Sequence, residues 1–162
     1  MKKIAVILCI ILSILLVACS SIGEVRQKIT DTGYESIDLT EVDDLSAMQQ
    51  FLARTIINEG KYATIKTATE NVKGAKISVF AKNPGMAFGS IDYAIVVEFN
   101  SKDALIAEFG RNDALVVIGR EIVGNTDDIV SLLEDTGAIY KNCFIYATGP
   151  NKATLYTALT TK

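Results

Sequence analysis

The 162-residue sequence contains no histidine, and that absence removes whole classes of chemistry. Serine–histidine and cysteine–histidine nucleophiles, histidine zinc sites and histidine proton shuttles all need an imidazole. An enzyme built from this chain would rely on carboxylates, lysine, tyrosine or backbone donors. Cysteine is sparse as well. Of the three present, Cys9 and Cys19 belong to an N-terminal apolar segment, so Cys143 has no partner for an intramolecular disulfide. The domain around it must be held by packing. Excess positive charge is also lacking: 16 lysines and arginines face 19 acids, and without Lys2 and Lys3 the balance is 14 against 19. Phosphate binding draws on clustered lysine and arginine, so no nucleic acid partner is expected. The tyrosines are scattered and form no basic stacking platform. Beyond residue 19, no apolar run approaches the roughly 20 residues of a membrane-spanning helix.

The N-terminus is where the sequence is most specific. Met1-Lys2-Lys3 is a short positive end, and Ile4 to Val17 is an almost unbroken apolar run. At about 15 residues, that run is too short to cross the hydrocarbon core comfortably. Positive end, short apolar stretch and small residues together form the pattern of a secretory signal peptide. The run stops at Leu16-Val17-Ala18-Cys19, which resembles the lipobox of bacterial lipoproteins.

The resemblance covers only about the first 20 residues. It implies transfer of diacylglycerol to the Cys19 thiol, cleavage before that cysteine, and often acylation of the new amino group. Sulfur is the nucleophile suited to such a thioether. Each buried methylene contributes about 0.8 kcal/mol, so two or more chains anchor stably. Ser20 replaces the aspartate that the family associates with inner-membrane retention. The expected location is therefore the outside of the cell membrane, or the outer membrane where the host has two. The covalent lipid on Cys19 is the one attached group expected, with no cofactor and no metal.

Three regions follow: a signal peptide over 1–18, a lipidated cysteine and tether over 19–42, and one globular domain over 43–162. A turn of helix is expected within the tether, around Glu24 to Ile29. Leu45, Met48, Leu52 and Ile56 recur at helical spacing, with Asp43 or Asp44 as the cap and Gly60 at the end. The stretch 61–73 fits a helix ending at Gly74, against its strand-favouring threonines. Ala75 to Lys82 and Ser90 to Phe99 alternate as strands, Asn83-Pro84-Gly85 breaking the chain between them. Ser101 caps a helix ending at Gly110. Ala114 to Ile118, apolar throughout, reads as a central strand. Thr126 and Asp127 open a helix closed by Gly137. Ala138 to Ala147 reads as a strand, and Gly149-Pro150 introduces a last helix with Leu155 and Leu159. The expected class is α+β, a mixed sheet of roughly four strands packed with helices; the alternative is an α/β layered sheet.

Candidate chemistry is thin. Cys143 could be a reactive thiol, yet it reads as a buried strand residue on a face with Ile139, Ile145 and Ala147. The pairs Asp43-Asp44, Asp127-Asp128 and Glu134-Asp135 could bind calcium or act as paired acids, but two stand at helix starts where carboxylates complement the dipole. None sits in a calcium-loop pattern. Gly85-Met86-Ala87-Phe88-Gly89 is the candidate partner-binding loop, with Met86 and Phe88 as adaptable apolar contacts between Gly85 and Gly89. It lacks the ending of a phosphate loop. Asp92 and Glu98 could line a polar pocket with Lys76, but alternation makes them sheet-face residues.

The expected activity is a non-catalytic, membrane-anchored interaction module for an envelope protein or small ligand. Two alternatives stand beside it. One is a carboxylate-dependent envelope enzyme, which needs two carboxyl groups across a cleft. The other is an inhibitory or exclusion lipoprotein.

Overall fold

The computed structural model describes residues 22–82 and 91–161. Among the described residues, five strands form one sheet in the order β1-β2-β3-β5-β4: β1 Glu35–Ile37, β2 Lys76–Lys82, β3 Asp92–Glu98, β4 Ile139–Tyr140 and β5 Cys143–Thr148. Every pairing is antiparallel. The class is α+β, as the sequence implies. The expected mixed sheet of about four strands is corrected to an antiparallel sheet of five.

Helices cover both faces. Residues 22–31 form α1, and α7 spans Lys152–Thr160. These two pack on one face through Val25, Ile29, Leu155 and Leu159, against Phe80, Ala94, Val96 and Ile145. The other face carries α2 Ala47–Asn58, α3 Lys61–Thr69, α4 Lys102–Phe109, α5 Asp113–Val123 and α6 Ile129–Thr136. Strand β3 lies at the centre and divides its side chains by pleat. Tyr93, Ile95 and Val97 enter the larger core, and Ala94 and Val96 enter the smaller one.

Within the expected tether, residues 22–42 pack as part of the domain, a correction to the sequence reading. Val25 and Ile29, four residues apart on one helical face, are completely buried. Lys28 Nζ donates to the Ala158 and Thr161 carbonyls at the end of α7, at 3.1 and 2.6 Å. Gly33, at φ +88°, turns the chain, and β1 then pairs with Val79 to Ala81 of β2. The connection from α1 to α2 is mostly polar, and its Tyr34 and Ile37 are buried.

Local signals explain most helix boundaries. Ser46, rather than Asp43 or Asp44, caps α2 through a reciprocal box with Gln49. Asp43 and Asp44 fall in a 3-10 turn over Val42–Asp44. Ser101 Oγ accepts from Ala104 N at 3.1 Å and starts α4. The helix reading of 61–73 holds for α3, and Gly74 turns beyond it at φ +80°.

The expected central strand at Ala114 to Ile118 is instead part of α5. Asn112 caps it by accepting from Leu115 N at 3.3 Å. Leu115, Ile118 and Gly119 are the residues it buries. Val117, interrupting the same apolar run, is 56 % exposed. Helical period, not a two-sided strand, therefore sets the pattern. The single strand expected over Ala138 to Ala147 is the β4–β5 hairpin. Lys141 turns it at φ +57°.

Candidate functional site

A broad concavity built from described residues lies on the helical face, between α3 and the turn joining α4 to α5. Its volume is about 840 Å³. Ala63, Thr67 and Ala68 line it from α3, and Glu108, Arg111 and Asn112 from the turn. The local sequence makes this turn tight: Arg111 N and Asn112 N both donate back to the Glu108 carbonyl, at 3.1 and 2.8 Å. Asn112 then does two things. Its Oδ1 caps α5, and its Nδ2 donates to the Ala68 carbonyl at 2.7 Å. That second bond ties the end of α3 to the start of α5 and fixes the wall of the cleft.

Two charges of opposite sign meet there. Glu108 is only 4 % exposed, and its Oε1 accepts from Arg111 Nη2. Arg111 itself projects outward, its side chain 70 % exposed. The hydrogen-bonded Glu108 raises the already high pKa of the guanidinium. A buried carboxylate thus orients an exposed cation, and among the described residues its second oxygen has no hydrogen-bond donor. Thr67 and Asn71 add exposed polar groups along the rim. The cleft can hold a ligand through one anionic and one cationic contact. Among the described residues, Glu108 is the carboxylate that lines it.

The residues singled out in sequence fall elsewhere. Cys19, the Leu16-Val17-Ala18 segment before it, and the loop residues Gly85, Met86, Phe88 and Gly89 lie outside the described residues. Cys143 is fully buried, and burial pushes its thiol up to about 12, with Glu98 adding to the shift. It shares its face with Ile145 and Ala147 as expected, but Ile139 points into the other core. The hairpin turn at Lys141 breaks the alternation that would have aligned them.

The acidic pairs are dispersed. Asp43 pairs with Arg54 at 2.9 Å, both exposed. Asp127 and Asp128 precede α6, and the Asp128 amide is held by Thr126 Oγ1 at 3.2 Å. Glu134 pairs with Lys102 at 3.0 Å. Among the described residues, no group of three metal-ligating side chains converges. Asp92 and Glu98 sit at opposite ends of β3 and so do not share a pocket. Glu98 stands opposite Lys76 in register. Asp92 is 6 % exposed and accepts from Asn151 N and Nδ2, both at 2.7 Å, closing the loop before α7.

No protein-family model, curated protein or solved structure matches the chain. Sequence reasoning missed the cleft because its two walls come from segments some forty residues apart, joined by the 44-residue separation of the Asn112–Ala68 bond. A local signal did exist: Glu108 and Arg111 stand three apart at a helix end, facing a run of alanine and threonine in α3.

Proposed function

We propose that this chain is a lipid-anchored bacterial envelope protein whose domain is a non-catalytic binding module, with the α3/α4–α5 cleft as its ligand seat. The anchor half of the reading rests on Leu16-Val17-Ala18-Cys19 at the end of a short apolar run. The ligand half rests on one observation, the buried Glu108 holding exposed Arg111 at the wall of a cleft of about 840 Å³. Concave sites with a few convergent polar groups are the usual place for small ligands. A paired carboxylate and guanidinium match a ligand carrying both signs of charge, such as a short peptide end or an amino acid. Among the described residues, no aromatic side chain lines the cleft.

Calorimetric titration of the protein with a panel of amino acids and dipeptides tests the ligand reading. Binding that falls at least tenfold in Arg111→Met and in Glu108→Gln supports it. Binding untouched by both substitutions, or turnover of a bound ligand, overturns it. Mass spectrometry of the membrane-extracted protein tests the anchor: an acylated Cys19 at the mature N-terminus is the expected result.

A further inference from the structure

Helix α1 has a consequence for how the domain sits on its membrane. Residues 22–31 are helical, so three peptide steps separate Cys19 from the first described helical residue. Three steps span about 10 Å at most. The helix cannot swing, because Val25 and Ile29 are buried in the smaller core and Arg26 Nη2 donates to Ser78 Oγ at 3.1 Å. Glu24, in its first turn, bonds both Tyr140 and Lys141 at the β4–β5 hairpin.

These contacts fix which end of the sheet lies nearest the acylated residue. At the far end of α1, Lys82 Nζ donates to the Thr32 carbonyl at 3.0 Å, so α1 runs alongside β2 from its start to its finish. The start of α1 is therefore at the sheet end formed by Lys76 of β2, Glu98 of β3 and Cys143 of β5, which are neighbours in register. Asp92 and Asn151 mark the opposite end. A seven-residue strand such as β3 rises about 20 Å between them.

Charge agrees with that placement. The residues past Cys19 carry 14 basic and 19 acidic side chains, yet Arg26, Lys76 and Lys141 gather at the α1-entry end beside Glu24 and Glu98. Asp103 and the Lys102–Glu134 pair at neighbouring helix ends make four cations against four acids, near neutrality rather than a basic excess. It is an end that phosphate headgroups do not repel, with cations placed to meet them.

We propose that this end of the sheet is the membrane-facing surface, held flush on phospholipid headgroups by the short link to Cys19. The proposal rests on lipidation of Cys19, and its test separates the two. The full lipidated protein is placed in vesicles of phosphatidylethanolamine and phosphatidylglycerol carrying a headgroup-linked quencher. A fluorophore is attached through Lys76→Cys at the near end or Lys152→Cys at the far end, both exposed positions. Cys143 is buried and stays unlabelled.

Quenching several-fold stronger at position 76 than at 152 is the expected result. A Gly–Ser insertion of about 20 residues after Ser21, a flexible chain of root-mean-square length near 25 Å, should erase the difference. Equal or reversed quenching in vesicle-bound, acylated protein overturns the orientation alone. A difference that survives the insertion overturns the short link as its cause. Protein without acyl mass on Cys19 that stays off the vesicles overturns the anchor and the orientation together.

Discussion

Gly149 lies directly against Asp92: a Cβ on Gly149 would stand 2.4 Å from Asp92 Oδ1 and 2.7 Å from its Cα. The Asp92 carboxylate cannot give way, because Asn151 holds both of its oxygens. Gly149 also adopts φ +92°, a conformation that L side chains rarely take. Gly149→Ala should therefore lose about 3 kcal/mol, from strain together with a displaced buried carboxylate. Urea unfolding would show a lower midpoint with an unchanged slope. A wild-type midpoint would mean that the loop has room the geometry denies.

Asn112 should matter through two separable bonds. Asn112→Ala removes both the α5 cap and the tie to Ala68, and should cost about 1–2 kcal/mol. Asn112→Ser keeps an acceptor for the cap and loses the donor to Ala68, so its cost should be smaller. Thermal unfolding of the pair ranks them. If the serine variant is the less stable of the two, the cap is not what Asn112 contributes.

What could be read from sequence was whatever one element encodes by itself. Ile91, Tyr93, Ile95, Val97 and Phe99 alternate, and all five enter one core. Leu52 and Ile56 recur at helical spacing, and both are buried in α2. The misreadings arise where a neighbouring segment decides the outcome. Leu115 to Ile118 is apolar throughout, and its helical state follows from the Asn112 cap together with packing against α6, which fills the space beside Gly119 with Ile129 and Leu133. The β4–β5 turn has no glycine to announce it. The cleft was illegible for the same reason, since Glu108 and Arg111 acquire a facing wall only when Asn112 reaches Ala68.

Cys143 should behave as an inert thiol with a pH signature. Its pKa is pushed up to about 12 by burial, while an unfolded cysteine titrates near 8.5. The folded state therefore holds the proton over a range in which the unfolded state releases it. The stabilisation is complete below about pH 8.5 and is lost as pH rises towards 12. Tyr140 is likewise raised to about 12 by Glu24 and burial, but an unfolded tyrosine titrates only near pH 10. Between about pH 8.5 and 10, the decline in stability should thus belong to Cys143 and flatten in Cys143→Ala. An aromatic disulfide reagent should leave the native thiol unmodified at pH 8 and react once urea unfolds the chain. Rapid modification of native protein would contradict the buried placement.

The sharpest test of the fold concerns residues 22–42. If they were a tether, a chain starting at residue 43 would fold as well as the longer one. The structure requires otherwise. Removing α1 and β1 strips Val25, Ile29 and Tyr34 from the smaller core and leaves Val79 to Ala81 of β2, still paired with β3, unpaired on the edge that β1 covers. Phe80, now 1 % exposed, would lose its cover, and the bared strand edge would invite aggregation. The shortened chain should bind a hydrophobic dye and lack a cooperative thermal transition, whereas a chain starting at residue 22 should unfold cooperatively. Within the longer chain, Ile29→Ala should cost about 2–5 kcal/mol. A stable, monomeric fragment from residue 43 with an unaltered transition would show that α1 merely rests on the sheet, and would detach the membrane orientation from its structural footing.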